Sequence, residues 1–200
     1  MAKSLTSEII KLKDVRGSFL RLHKPKAFQE GQEPRYEATF LLDPSNAAHA
    51  GMIAKIKEEA SKLIKAKWGE KPAGLKLCFG LADNDEMKKK YDGYPGMFYV
   101  VTANTSKPTV CNRQREEVVE GGKEDPYSGC FVNTNVTLWT QDNKFGKALR
   151  GNLRIVQFNR PGTAFSGAGS ADPDAELETL EELPSTGGTA TVGKDDFDLD

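Results

Sequence analysis

Residues 129–141 read GCFVNTNVTLWTQ. The apolar and small side chains Cys130, Val132, Thr134, Val136 and Leu138 alternate with Phe131, Asn133, Asn135, Thr137 and Trp139. Successive side chains of a strand point to opposite faces. The first set therefore suits a core, and the second an outer surface. Two large aromatics interleaved with amides are unusual for a plain solvent face. One reading has Phe131 and Trp139 stack on a planar ligand. The other packs them beneath a loop, a helix or a dimer partner. Both make this stretch a long, half-buried β-strand.

Strand signals continue outward. RYEATFLLD (35–43) alternates Tyr36, Ala38, Phe40 and Leu42 against Arg35, Glu37, Thr39 and Leu41 and lies between Pro34 and Pro44, as expected of a bounded strand. SEIIKLKDVRGSFLRL (7–22) is rich in β-branched and apolar residues and is broken by Gly17, which suits a strand with a bend or bulge. MFYVVTANTS (97–106) and KFGKALRGNLRIVQFNR (144–160) complete the set. One stretch has helical spacing. In DPSNAAHAGMIAKIKEEASKLIKAKWGEK (43–71), Ile53, Ile56, Ala60, Leu63 and Ile64 form one stripe. Asp43, Ser45 or Asn46 can cap its start and Gly69 its end. About five strands and one helix predict a mainly β fold: an OB-fold-like five-stranded Greek-key barrel with one inserted α-helix, a β-sandwich being the alternative.

Charge divides the chain. From Pro161 onward there are ten acidic side chains and one basic one, Lys194, a net charge of −9; the preceding 160 residues hold 27 basic and 19 acidic side chains, a net +8. The acidic segment is rich in Gly, Ser, Ala and Thr and lacks the apolar content to offset ordering entropy, so it is expected to be disordered. The expected organisation is a barrel over residues 1–160 and a flexible acidic tail over 161–200. A basic body with an acidic tail points to nucleic acid and to protein partners.

Other classes find less support. The opening MAKSLTSEII has one lysine and no long apolar core, so no signal peptide is expected. Nor is a membrane partner, since no apolar run approaches a span of about 18 residues. Cys78, Cys111 and Cys130 are widely spaced and form no CxxC, which argues against a disulfide framework or a zinc site and for a reducing compartment. His23 and His49 have no nucleophile motif nearby. No catalytic residue, metal site or cofactor is expected. The enzymatic alternative is a metal-dependent nuclease using Asp83, Asp85 and Glu86. A second alternative is a protein adaptor acting through its acidic tail.

A binder of single strands needs a cationic groove and aromatic platforms for bases. The stacking candidates are Tyr91, Tyr94, Phe98 and Tyr99 of YDGYPGMFYVV (91–101), with Phe131 and Trp139. The tyrosines are expected on a loop at the barrel mouth. Candidates for phosphate and polar contacts are Lys88, Lys89, Lys90, Lys107, Arg113, Arg115, Asn133, Asn135, Lys144, Lys147, Arg150 and Arg154.

Three ordered strings, YDGYPGMFYVVTANTSKPTV, DPYSGCFVNTNVTLW and KALRGNLRIVQFNRPG, together with VRGSFLRLHKPKAF and RYEATFLLDP, resemble the phage single-stranded DNA-binding proteins with an OB-fold. The resemblance spans roughly residues 8–165. It implies sequence-independent coating of single strands in phage DNA replication, recombination and repair, in a host bacterial cytoplasm. It implies a tail that recruits proteins such as polymerase or helicase, here through Asp195, Asp196, Phe197, Asp198, Leu199 and Asp200; the tail's charge, opposite to that of the body, adds the expectation that it regulates DNA access. Many bacterial relatives end in a proline and a terminal phenylalanine, whereas here Phe197 is followed by DLD. Double-stranded DNA binding once the tail is absent, and a homodimer, are further expectations.

Overall fold

The structure, a computed structural model, describes residues 3–27 and 31–165. Its elements in chain order are β1 (Ile10–Lys26), β2 (Arg35–Leu42), α1 (Ala47–Trp68), β3 (Lys76–Leu77), β4 (Phe79–Leu81), β5 (Phe98–Asn104), β6 (Thr109–Cys111), β7 (Phe131–Asn143) and β8 (Gly146–Arg160). The alternating stretch quoted first forms most of β7. Val132, Val136 and Leu138 are fully buried, while Phe131, Asn133, Asn135 and Trp139 face outward and are partly covered.

Five strands close on themselves. β1 pairs antiparallel with β2 and with β7, β2 with β5, and β7 with β8. The ring is completed by a short parallel pairing of β5 with β8, Thr102 opposite Gly151 and Ala103 opposite Asn152. The barrel order is therefore β1-β2-β5-β8-β7, returning to β1. This is the OB-fold rather than a sandwich, with β5, β7 and β8 as its third, fourth and fifth strands. Gly151 is what lets the last pair meet. A Cβ there would lie 2.4 Å from the Val101 carbonyl oxygen and 2.9 Å from Thr102 Cγ2.

β1 bulges on either side of Gly17 and shifts register against β2 once more between Arg21 and Lys26. Its register shifts against β7 between Leu12 and Val15, and against β2 between Ser18 and Arg21. Asp14 and Phe19 carry the distortions, with φ of 53° and 49°.

The helix lies where the spacing predicts. Of the three candidate caps, Asn46 does the work: its side chain accepts from the Ala48 and His49 N–H groups, and Gly69 closes the other end with φ 79°. Ile53, Ile56, Ala60 and Leu63 pack into the same core as Ile10, Leu12, Phe40, Val100, Leu138 and Leu153. Cys78, Cys111 and Cys130 are free and buried. Burial pushes the Cys78 thiol up to about 12 and the Cys130 thiol up to about 11, which keeps both protonated and unreactive. Among the described residues no helix is long and apolar enough to cross a membrane.

The loop between β4 and β5 departs from expectation. It folds onto the outer face of β1 and β2 rather than standing at the barrel mouth. Tyr94 is wholly buried there with Leu41, Ala82 and Phe165, and its hydroxyl lies 3.2 Å from Ser18 Oγ. Residues 161–165 return to the same place. Arg16 donates to the Thr163 carbonyl at 2.7 Å and stands 4.1 Å from the Phe165 ring centroid, and the Phe165 N–H donates to the Ser128 carbonyl. The glycines of DPYSG and YDG leave room for this return: Cβ atoms on Gly129 and Gly93 would lie 2.2 Å from Thr163 O and 2.3 Å from Phe165. The barrel unit thus continues through Phe165, beyond the boundary expected after residue 160, because that ring fills a pocket in the barrel's outer wall. The tail residues Asp195–Asp200 lie outside the described residues.

Candidate nucleic-acid interface

A groove of about 640 Å³ runs over the outer face of the barrel. Its floor is Tyr99, Val101 and Ala103 of β5, which pair with Leu41, Thr39 and Glu37 of β2. Arg35 and Glu37 form one side, with Gln32 and Glu33 from the β1–β2 connection. Trp139 and Gln141 of β7 and Arg150 of β8 form the other, with Phe145 from the β7–β8 hairpin and Asp85 and Lys88 from the β4–β5 loop. OB-folds bind oligonucleotides on the face of their second and third strands, between the connections of strands one to two and four to five. The groove occupies that position.

Each wall has a local cause. Trp139 stands opposite Arg150 in the β7–β8 ladder, and Arg150 Nε donates to Gln141 Oε1 at 3.2 Å. Phe145 sits at the tip of a tight hairpin, where its N–H donates to Asn143 Oδ1 and Gly146 takes φ 106°. The Phe145 ring is 73% exposed, with Lys144 Nζ 5.1 Å from its centroid. Tyr99 donates its hydroxyl to Asp85 Oδ2 at 3.3 Å. Lys88 Nζ lies 5.2 Å from the Tyr99 ring centroid, and burial lowers its pKa despite the attraction of Asp85 and Glu37. Burial likewise raises the Glu37 carboxyl, against the pull of Arg21, Lys88 and Arg35. The groove thus holds stacking surfaces, cations and one uncomfortable acid.

Tyr99, Trp139, Lys88 and Arg150 are therefore brought together as the sequence suggests, and Lys144 and Lys147 flank the hairpin at one end. Tyr94 and Phe98 are not available for stacking: Tyr94 is fully buried where its own β4–β5 loop packs onto β1 and β2, and Phe98 is 2% exposed in the main core against Phe79. Phe131 stands eight residues from Trp139, about 26 Å along the strand, and does not line the groove. The Arg160 guanidinium covers it at 3.4 Å from the ring centroid and forks onto Asp14 at 2.8 and 2.9 Å. Asn133 is engaged with the Asp14 N–H and with Gln157, and Asn135 lies between Lys11 and Ile155. Lys107, Arg113 and Arg115 lie on the turns flanking β6, and Arg154 on a bulge of β8, all outside the groove. Lys89 pairs with Glu86, and Lys90 and Tyr91 also lie outside the groove.

Phe145, Arg35, Gln32 and Gln141 were missed by sequence reasoning. A large aromatic in the two-residue turn of KFG was a readable signal. The acids of the nuclease alternative are engaged in the loop: Asp83 accepts from the Gly96 N–H, Asp85 from Met87, Lys88 and Tyr99, and Glu86 from Lys89. Among the described residues no group of three or more His, Cys, Asp or Glu side chains is placed to hold a metal ion.

The family model of the Enterobacter phage Enc34 ssDNA-binding protein matches residues 8–183. The chain belongs to this family. Its similarity to protein p50 of Acyrthosiphon pisum secondary endosymbiont phage 1 is 37% identity over 187 residues, covering 87% of this chain and 97% of that protein. Among solved structures, the single-stranded DNA-binding protein from bacteriophage Enc34 in complex with ssDNA superposes with a TM-score of 0.70 at 29% identity, over 79% of this chain and 89% of that one. A C-terminal truncation of the same Enc34 protein gives 0.65 at 30% identity, over 78% and 88%. In this Enc34-family chain the barrel thus has the fold of a protein solved with a single strand bound.

Proposed function

We propose that the protein binds single-stranded DNA without sequence preference, holding it in the groove across β2 and β5. The observation that carries this reading is the meeting of Trp139, Tyr99 and Phe145 with Arg35, Lys88 and Arg150 on one OB-fold face. The aromatics offer surfaces to bases of any identity, and the cations answer the phosphates. Protein relatives that are single-stranded DNA-binding proteins support it. On this reading the chain is a binding protein rather than an enzyme. It protects exposed strands in phage replication, recombination and repair within the host cytoplasm.

We further propose that the acidic segment beyond Phe165 is a separate tail. Its net charge of −9 opposes a body of +8. A tether of this length holds it near the groove at roughly millimolar effective concentration, so it competes with DNA. When the groove fills, Phe197 and Leu199 become available to partner proteins such as polymerase or helicase. Affinity for single and double strands, with and without residues 166–200, across salt, tests both statements. Tighter binding on truncation, strongest at low salt, is expected. No binding by either form sinks the groove, and equal binding by both sinks the competing tail.

A further inference from the structure

Phe19 has an unfavourable backbone. It sits at φ 49°, a region that bulky side chains avoid and that often marks function when a native fold retains it. The cause is local. Phe19 and Leu20 stand opposite the single residue Ala38, since Ser18 pairs with Thr39 and Arg21 with Glu37. The bulge is fastened from behind. The Gly17 N–H donates to the Cys130 carbonyl, the Gly129 N–H to the Gly17 carbonyl, and the Leu20 N–H to Ser128 Oγ.

The outcome is an exposed aromatic ring. Phe19 is 41% exposed beside Tyr91, itself 37% exposed, with ring centroids 5.1 Å apart at 72°. Buried Tyr94 supports both, at 6.3 and 5.3 Å. Strain that buries an aromatic ring would be unremarkable; here it holds one in solvent. Lys88 makes the platform continuous with the groove. Its Nζ lies 5.7 Å from the Tyr91 ring centroid and 5.2 Å from that of Tyr99, which lines the groove.

We propose that Phe19 and Tyr91 form a second stacking platform for an unpaired base, outside the groove and reached past Lys88. The inference rests on the reading of the groove as a single-strand site. The platform takes the base of a nucleotide that leaves the groove, while Lys88 meets the phosphate between the two places. The αL bulge at Phe19 serves to project the ring, so its strain belongs to binding rather than to folding.

The test is affinity against oligonucleotide length, using oligo(dT) of about 4 to 16 nucleotides, the range one OB-fold covers. The full chain is compared with Phe19→Gly, Tyr91→Ala and Trp139→Ala. Phe19→Gly suits the left-handed backbone, so its melting temperature is expected to stay within about 4 °C of wild type. Short oligonucleotides are expected to bind Phe19→Gly and Tyr91→Ala as they bind wild type. Long ones are expected to bind them about fivefold to a hundredfold more weakly, the loss of one stacked base. Trp139→Ala is expected to weaken every length. Equal loss at all lengths, or none, in the Phe19 and Tyr91 variants overturns the platform while leaving the groove intact. Failure of the wild type to bind any length overturns the groove and the platform together.

Discussion

Trp139 of β7 and Arg150 of β8 stand directly opposite each other on the outer face of the barrel, and Arg150 is oriented by the neutral side chain of Gln141. A planar ring and a delocalised cation thus share one end of the groove. Trp139→Ala is expected to weaken single-strand binding by about 1–3 kcal/mol, measured by fluorescence anisotropy of a labelled oligonucleotide. In the wild type, DNA should quench tryptophan emission, and high salt should restore it. Trp68 serves as the internal control: it packs against the main core, with its indole N–H donating to Asp142. Trp139→Phe should therefore leave emission that DNA barely changes.

Lys88 and Arg150 should each reveal themselves in the salt dependence. Neutralising one phosphate contact on a single strand removes about 0.7 from the slope of log affinity against log salt. Lys88→Ala and Arg150→Ala are expected to lose about that much each, and Arg154→Ala nothing, since Arg154 stands on the β8 bulge away from the groove. A titration at several salt concentrations separates them.

Glu37 should make binding depend on pH. Burial raises its carboxyl above the ordinary glutamate range. The protonated form carries no charge, so it does not repel a phosphate; the ionised form does. Affinity is therefore expected to rise as pH falls through that raised value, and to weaken above it. Glu37→Gln is expected to bind more tightly at neutral pH and to lose this pH dependence. Titrations from pH 4.5 upward check both, once the folded state of each sample is confirmed by circular dichroism.

Gly151 should be intolerant of a side chain. Its missing Cβ is what permits β5 and β8 to approach. Gly151→Ala is expected to destabilise by about 1–3 kcal/mol in urea unfolding. Gly146→Ala is a useful contrast, because space is open there and only its φ of 106° resists.

Much of this fold can be read from residue periodicity. The alternation in β2 and β7 identifies their core faces, and the stripe from Ile53 to Leu63 identifies the helix and its buried side. Thr39 and Leu41 defeat the same rule: both are buried on the outward face because the β4–β5 loop lies over them. Alternation describes one strand, whereas that cover comes from a segment some fifty residues later in the chain. The same limit applies to the site. Tyr99 and Trp139 are visible as outward aromatics of separate strands. Tyr94 and Phe98 look equivalent to them by type, yet one is pinned to Ser18 and the other points into the barrel. Phe131 and Trp139 share a face of β7, but length along the strand keeps them apart. Arg160 over Phe131 could not be anticipated either, since it depends on a bulge that turns Asp14 towards it.

The pairing of β1 with β7 has a consequence for synthesis. Ile10 meets Val136, and Lys11 meets Asn135, so the first strand made is among the last to be satisfied. At roughly 5–20 residues per second, about 6–25 s separate the two partners on the ribosome. Until then one edge of β1 has no strand to lie against. Pairings this distant also slow folding, towards the millisecond-to-second range. Each nascent chain thus spends its first seconds as an open sheet, exposed to its own neighbours on the polysome.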